Sequence, residues 1–175
     1  MIVAILILVL LALFSVIFLA YLVDIIRNGL APNVATPDSA LGQISEVLDI
    51  KNGDLIMEIG CGDARLIRYC ANKYPQAKFI GLDNGLIAIA SAKLGSLKNK
   101  NITIKYGNFT KLPKLKYNKY YVYLLPEALE IIRPKLPKGS LVVSLEYRFK
   151  DIKPYKIIKL KKQTQLVHKI YIYKF

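Results

Sequence analysis

The sequence predicts an α/β domain whose sheet is mostly parallel with an antiparallel edge strand, preceded by one transmembrane helix. Residues 2–23 carry no charged side chain, which predicts the helix. From 37 onward, short apolar runs that suit buried strands alternate with amphipathic helical patterns. That alternation is typical of a parallel sheet covered on both faces. The chain then closes on two successive strand-like runs, which predict the antiparallel edge.

The run 2–23 is long enough to cross a bilayer. At about 1.5 Å per residue it spans about 33 Å, against a hydrocarbon core of roughly 30 Å. A secretory signal peptide needs a basic start and a shorter apolar core, and no Lys or Arg precedes this run. Every Lys and Arg lies on its C-terminal side. We therefore expect a single-pass anchor and linker over 1–30, with the N-terminus outside and the domain 31–175 in the cytoplasm.

The domain begins with an amphipathic helix over 37–50, which Thr36 is expected to cap and Pro37 to open. The remaining helices are predicted at 64–74, 86–97 and 126–133. The strands are predicted at 55–59, 78–82, 102–106, 120–125, 141–145, 155–160 and 166–173. Only about a dozen residues join the third and fourth strands, too few for a crossover helix with its turns.

The formal charge of +14 comes from 26 Lys and Arg against 12 Asp and Glu, and it is unevenly spread. No acid lies between Asp83 and Glu127, a stretch with eight Lys, and eight more follow from Lys150. Such a surface favours an anionic leaflet, nucleic acid or an acidic protein. A drift in composition towards solvated Lys accounts for it equally well. Two Cys and one His are too few for a structural zinc site, so no metal is expected.

A glycine bend carries the most information about chemistry. The strand 55–59 runs into the sequence Gly-Cys-Gly-Asp at 60–63, where a helix is expected to begin. Gly60 and Gly62 permit a sharp turn and a close approach to a ligand, and free N–H groups at the helix start are expected to point into the same space. Asp83 ends the next strand, where a carboxylate can accept both hydroxyls of a ribose. The pattern indicates a nucleoside-type cofactor at the carboxyl ends of parallel strands.

The charges around this bend distinguish between cofactors. A dinucleotide site needs a third Gly, three residues after the second, and Arg65 occupies that position. Glu58 and Asp63 flank the bend, where two carboxylates would repel a pyrophosphate but suit the ammonium and sulfonium groups of S-adenosylmethionine (SAM). We therefore favour SAM over a dinucleotide or a generic glycine turn.

With these features the sequence resembles the class I SAM-dependent methyltransferases, which implies a Rossmann-like sheet. The resemblance implies that Glu58, Gly60 and Gly62 hold the amino-acid part of SAM and that Asp83 binds the ribose. It assigns the adenine to Asn108, where the family more often has Asp. The other residues expected to line the cofactor site are Thr36, Cys61, Asp63, Asn84 and Phe109.

A narrower resemblance covers nearly the whole domain, through the motifs at 31–37, 60–65, 107–109, 123–127, 134–136 and 138–144. They are similar to the small archaeal protein-lysine methyltransferases and their membrane-anchored mitochondrial relatives, which modify lysine on an ATP synthase subunit and related carriers. The sequence departs from that group at Ala35, where Pro is common, and in its very high Lys content. The resemblance implies a protein substrate with an exposed lysine.

Tyr123 and Glu127 are the candidate catalytic residues. They follow the fourth strand, where class I enzymes place the acceptor. A lysine acceptor must lose its proton, since its unperturbed pKa lies near 10.4, and these residues are candidates to orient or deprotonate it. Simple packing of Tyr123, and the attraction of Glu127 to the positive end of its helix, are structural alternatives.

The sequence thus predicts a membrane-anchored SAM-dependent methyltransferase that modifies a macromolecular acceptor, foremost protein lysine. The domain is nearly minimal and has no addition that could enclose a small substrate. Its expected partners are the bilayer and a lysine-bearing protein, with nucleic acid second. The alternatives are an RNA methyltransferase and a non-catalytic SAM-binding membrane protein.

Overall fold

The computed structural model describes residues 2–28 and 34–175, and its core is a seven-stranded sheet. The strands are β1 (Leu55–Ile59), β2 (Lys78–Asp83), β3 (Ile102–Tyr106), β4 (Lys119–Val122), β5 (Leu141–Leu145), β6 (Lys156–Lys159) and β7 (Lys169–Lys174). Their order across the sheet is β3-β2-β1-β4-β5-β7-β6. Strands β1 to β5 pair in parallel, and β7 runs antiparallel to both β5 and β6. The predicted mostly parallel sheet is confirmed, with the antiparallel strand one position in from the edge.

Within the described residues, five α-helices accompany the sheet: α1 (Ile2–Asn28), α2 (Asp38–Val47), α3 (Arg65–Lys73), α4 (Leu86–Gly95) and α5 (Pro126–Ile132). The apolar sides of α2 and α3 pack on one sheet face, and those of α5 pack on the other. Ile44 of α2 and Cys70 of α3 are fully buried, as their helical spacing predicts. The sheet is therefore covered on both faces, which suits the apolar runs of its parallel strands.

The pairing of β1 with β2 places the glycine bend. Glu58 lies opposite Gly81 and Ile59 opposite Leu82, so the carboxyl ends of both strands lie at the same end of the sheet. A side chain on Gly81 would approach the Cys61 Sγ to 2.9 Å, so the glycine lets the bend lie against β2.

Several element boundaries differ from the predicted ones. The α2 helix begins at Asp38, and Thr36 does not cap it; the Thr36 hydroxyl instead hydrogen-bonds the Tyr121 hydroxyl at 2.8 Å. Strand β4 ends at Val122, three residues early, because the chain turns there towards α5. The connection from β3 to β4 holds only a short 3₁₀ turn, Phe109–Lys111, in agreement with its length. Residues 29–33, which span the predicted boundary between the anchor-and-linker segment 1–30 and the domain 31–175, lie outside the described residues.

The apolar run 2–23 forms one continuous helix that is long and apolar enough to cross a membrane. It is not buried in the domain, unlike the core helix of a soluble protein, whereas a signal sequence near an N-terminus meets the same criterion. The α1 helix lies beside α4. Its length and composition agree with the predicted span, and its topology stays a prediction.

Candidate functional site

A tight bend over 60–64 joins β1 to α3. Gly60 and Gly62 have φ values of 77° and 54°, and Ala64 at 62° also adopts the left-handed region. An L-residue such as alanine is strained there by about 1–2 kcal/mol. The amides of Gly60 and Cys61 both donate to the Leu82 carbonyl, at 2.8 and 3.0 Å. The bend is therefore held against the end of β2.

Three further backbone amides around the bend have acceptors within the chain. The Gly62 amide donates to Asp83 Oδ2 at 2.8 Å, the Ala64 amide to the Cys61 carbonyl at 2.7 Å and the Arg65 amide to Asp63 Oδ1 at 3.2 Å. The expectation of free helix-start N–H groups is wrong for these positions, because each of the three amides already donates to an acceptor in the chain. A bound pyrophosphate relies on such amides. Their use within the chain argues against a dinucleotide.

A cavity of about 210 Å³ opens at the carboxyl end of β1. Six of the ten residues predicted to bind the cofactor line it, together with the candidate catalytic residue Tyr123. Its lining consists of Val34, Ala35, Thr36, Glu58, Gly60, Cys61, Gly62, Asp63, Arg65 and Tyr123. The structure thus brings together the bend, the strand-end acid and the tyrosine that follows β4.

Glu58 is a buried acidic residue in the cavity lining. The residue is 4 % exposed, and its Oε2 atom has no hydrogen-bond partner among the residues that the structure describes. Burial raises the pKa of Glu58 well above its ordinary value, and the charges of Asp63 and Asp83 add to that, while the Ile67 backbone N–H acts the other way. A buried carboxylate is expensive to ionise unless a cation or a donor faces it. The site is therefore suited to a positively charged group.

Asp63 is already neutralised by the chain. Arg65 holds its carboxylate through Nε at 3.1 Å and Nη2 at 3.0 Å, and Arg68 lies 3.6 Å away. Burial alone would raise the pKa of Asp63, but the hydrogen bonds and charge of Arg65 outweigh it and place the pKa below its usual value. Of the two carboxylates predicted to attract a cation, Asp63 has cationic partners in the described chain and Glu58 has none.

Arg65 also lines the cavity, although the sequence pattern singled it out only as the position where a dinucleotide site has glycine. Its guanidinium pairs with Asp63, reaches the Thr36 carbonyl at 3.5 Å and lies 3.5 Å from Asp38. The arginine thereby joins the bend to the segment that precedes α2. The short Asp-x-Arg spacing was the only signal in the sequence for this pairing.

The predicted ribose and adenine residues lie at the same sheet edge but outside the cavity lining. Asp83 accepts from the Gly62 and Gly85 amides at 2.8 and 2.9 Å, and its carbonyl accepts from Gly107. Asn108 is exposed and accepts from the Thr110 amide at 2.8 Å, while Phe109 packs on the core beside β4. Asn84 directly follows β2. The cofactor roles of these residues stay predictions.

The two candidate catalytic residues, Tyr123 and Glu127, line different cavities. Tyr123 stacks on Tyr147 with ring centroids 6.1 Å apart, and Tyr147 lines a neighbouring groove of about 1030 Å³. Glu127 is exposed and lines that groove, not the cavity. Burial, with Tyr147 and Glu146 nearby, raises the pKa of Tyr123. Tyr147 was not predicted, because it comes 24 residues after Tyr123 with no motif linking the two.

Comparison with known proteins places this geometry among methyltransferases. No family model matches the chain. The chain is 27 % identical over 150 residues to a protein-lysine N-methyltransferase of Saccharolobus islandicus (strain REY15A), covering 81 % of this chain and 92 % of the relative.

Solved structures share the fold. An RNA methyltransferase from Salinibacter ruber, in complex with S-adenosyl-L-homocysteine, superposes with a TM-score of 0.72 at 20 % identity, covering 80 % of this chain and 92 % of that one. A SAM-dependent methyltransferase from Geobacter sulfurreducens, also with S-adenosyl-L-homocysteine, gives 0.54 at 17 % identity over 66 % and 51 %. The chain therefore has the class I SAM-dependent methyltransferase fold, which confirms the predicted Rossmann-like sheet.

Proposed function

We propose that this chain is a membrane-anchored methyltransferase that transfers a methyl group from SAM to a lysine of a protein. The observation that carries the proposal is the buried Glu58 carboxylate beside the cavity, whose Oε2 has no hydrogen-bond partner in residues 2–28 and 34–175. The fold and the similarity to a protein-lysine N-methyltransferase support it. The span over 2–23 would hold the domain at the cytoplasmic face of a membrane.

The residues present fit SAM. Its ammonium group would give Glu58 the charged partner that the described part of the chain does not supply. A Cβ on Gly60 would come within 2.8 Å of the Leu124 side chain, so glycine lets the bend lie against the segment that follows β4. Asp83 and Asn108 would hold the ribose and the adenine. When bound, SAM supplies an electrophilic methyl group on its sulfonium sulfur.

Tyr123 is suited to orient the acceptor amine. A phenol is neutral near pH 7 at its ordinary pKa of about 10, and burial shifts the pKa of Tyr123 further in that direction. A neutral hydroxyl oxygen can accept a hydrogen bond from an amine N–H and so fix the direction of its lone pair. Glu127, in the adjoining groove, would attract the lysine ammonium before it enters. Placement of the nucleophile with water excluded is the main contribution the protein can make to such a displacement.

The distribution of acidic residues supports a cationic acceptor. Three of the chain's 12 acids surround the bend together with Arg65 and Arg68, and four more line the neighbouring groove with three basic residues. Acids therefore slightly outnumber bases in these two regions, in a chain whose net charge is +14. Phosphate groups of RNA would be repelled there, whereas a lysine side chain would be attracted.

RNA methylation is the second candidate. The acid-free Lys-rich stretch between Asp83 and Glu127, and the resemblance in fold to an RNA methyltransferase, favour it. A non-catalytic SAM-binding protein would keep the cavity and its Glu58 but show no turnover.

The test uses the full chain in a mild detergent, incubated with methyl-labelled SAM and a membrane extract. We expect macromolecular label that resists nuclease, is lost with protease and is recovered as methyl-lysine. Label that resists protease and is lost with nuclease would favour the RNA alternative. Binding of SAM without any transfer to either fraction would favour the non-catalytic alternative. Glu58→Gln serves as the control for label that does not depend on the site.

A further inference from the structure

The α4 helix is apolar on its outer side as well as its inner side. Ala88, Ile89 and Ala92 are buried against the domain, as expected for a surface helix. Yet Leu94 is 71 % exposed, and Leu97 in the following turn is 75 % exposed. A helix that is apolar all round is typical of a large core or a membrane and not of a water-facing surface.

The outward apolar residues form one stripe. Leu86, Ala90 and Leu94 follow one another at four-residue spacing, and Ile87 lies seven residues before Leu94. Residues at these spacings share one face of a helix. Leu86 and Ile87 are also exposed, so the stripe runs along α4 from its first residue.

Exposed lysines border this stripe. Lys93, Lys98 and Lys100 lie on α4 or just after it, and Lys105 lies on the neighbouring edge strand β3. We call Leu86, Ile87, Leu94 and Leu97, with Lys93, Lys98 and Lys100, the α4 patch. An apolar stripe bordered by cations is the composition of a helix that lies in a membrane interface rich in anionic lipid.

The position of the patch points to the same occupant. The α1 helix lies beside α4, and α4 lies beside β3, so the helix that carries the patch neighbours the proposed span at the β3 side of the sheet. The opposite edge is formed by β6. The ten residues of α4 are too few to cross a bilayer.

We propose that the α4 patch is a second membrane contact, which seats the domain on an anionic leaflet with the β3 edge towards the lipid. Leucine side chains enter the interface, and the lysines meet the headgroups. The inference rests on the membrane anchoring in the proposed function. Because α4 starts three residues after Asp83, this seating holds the SAM site close to the membrane surface. It therefore favours acceptor lysines that lie near the bilayer.

The experiment labels the full chain with an environment-sensitive fluorophore at Leu94→Cys, and at Leu166→Cys as the matched control. Leu166 is 62 % exposed and lies between β6 and β7, at the far edge of the sheet. The native Cys61 and Cys70 are buried and so are shielded from the label. The proteins are reconstituted into vesicles of phosphatidylcholine, with and without phosphatidylglycerol, and quenched by acrylamide from water or by spin-labelled lipid.

We expect the Leu94 probe to shift to the blue in anionic vesicles and to be quenched at least twofold more by spin-labelled lipid than the Leu166 probe. The Lys93→Gln/Lys98→Gln/Lys100→Gln variant should lose most of that difference. The Lys156→Gln/Lys161→Gln/Lys162→Gln variant, which removes equal charge at the other edge, should retain it. Equal access of acrylamide to both probes in all vesicles would overturn the proposal. Protection of Leu94 in detergent that grows with protein concentration would do the same, because it assigns the patch to a second copy of the chain.

Alkaline carbonate extraction of the same vesicles separates this inference from the proposed function. Retention of the chain with the Leu94 probe in water would refute the seating alone. Release of the chain into the supernatant would refute the anchor on which both depend.

Discussion

The Asp83 carboxylate accepts a hydrogen bond from the Gly62 amide at 2.8 Å, which ties the end of β2 to the glycine bend. Its other oxygen accepts from the Gly85 amide at 2.9 Å, at the entry to α4. The carboxylate predicted to hold a ribose therefore also fixes the glycine bend and the turn before α4. A ligand-binding role would use the lone pairs that these two bonds leave over.

We predict that Asp83→Ala weakens SAM binding severely and destabilises the fold by about 1–3 kcal/mol, because two amides lose their acceptor. Calorimetric titration with SAM and urea unfolding measure the two effects. Asp83→Asn is the matched variant, since its amide oxygen can still accept one of the bonds. Unchanged SAM affinity in Asp83→Ala would contradict the ribose assignment.

Glu58→Gln should stabilise the fold at neutral pH while impairing SAM binding. A carboxyl group whose folded pKa is raised contributes stability that is complete below its unfolded pKa, near 4.5, and is lost as the pH rises through the folded pKa. The neutral amide avoids that loss, so the stability gain over wild type should grow with pH. Losing the charge-assisted contact to the ammonium should weaken SAM binding by about 10- to 100-fold.

Urea unfolding at pH 4 and pH 8, together with SAM titration, checks this prediction. Glu46→Gln, an exposed position on α2, is the control for a general effect of removing one negative charge. A variant that is less stable than wild type at pH 8 would contradict the claim that no cation among the described residues compensates the buried Glu58 carboxylate.

Gly60→Ala should disturb the cavity more than strain alone explains. Gly60 and Gly53 have similar φ values, 77° and 83°, but only at Gly60 would the new Cβ meet another group, the Leu124 side chain at 2.8 Å. Gly53→Ala should therefore cost about 1–2 kcal/mol of strain and leave SAM binding intact, whereas Gly60→Ala should impair both. In Gly60→Ala/Leu124→Ala, SAM affinity should partly recover. Equal effects of the two single variants on SAM affinity would show that the contact with Leu124 is irrelevant.

Tyr123→Phe should lower kcat by about tenfold or more with SAM affinity unchanged within about twofold, because the variant keeps the stacking on Tyr147 and loses only the hydroxyl. Single-turnover methylation and SAM titration separate the two quantities. Tyr155→Phe is the control, since Tyr155 is exposed and stacks under Lys174 far along the sheet. A normal rate in Tyr123→Phe would reduce Tyr123 to a packing residue.

The sequence allowed the glycine bend and its strand-end acid to be predicted, because both follow from local patterns at fixed spacing. The hydrogen bond between Thr36 and Tyr121 joins residues 85 positions apart, so helix-cap reasoning alone misassigned Thr36. The predicted end of β4 was wrong because the apolar residues Leu124 and Leu125 are compatible with a strand and with the turn that the structure shows. The neutralisation of Asp63 depends on where the Arg65 side chain points, which no residue pattern specifies.

The central claim, that Glu58 receives the cationic end of SAM, is tested most directly by counting protons on binding. Titrations of SAM at a pH below the raised pKa of free Glu58, in buffers of different ionisation enthalpy, report that count. We expect wild type to release up to one proton as Glu58 ionises, and Glu58→Gln to release none. Tight SAM binding with the same proton count in both proteins would contradict the account.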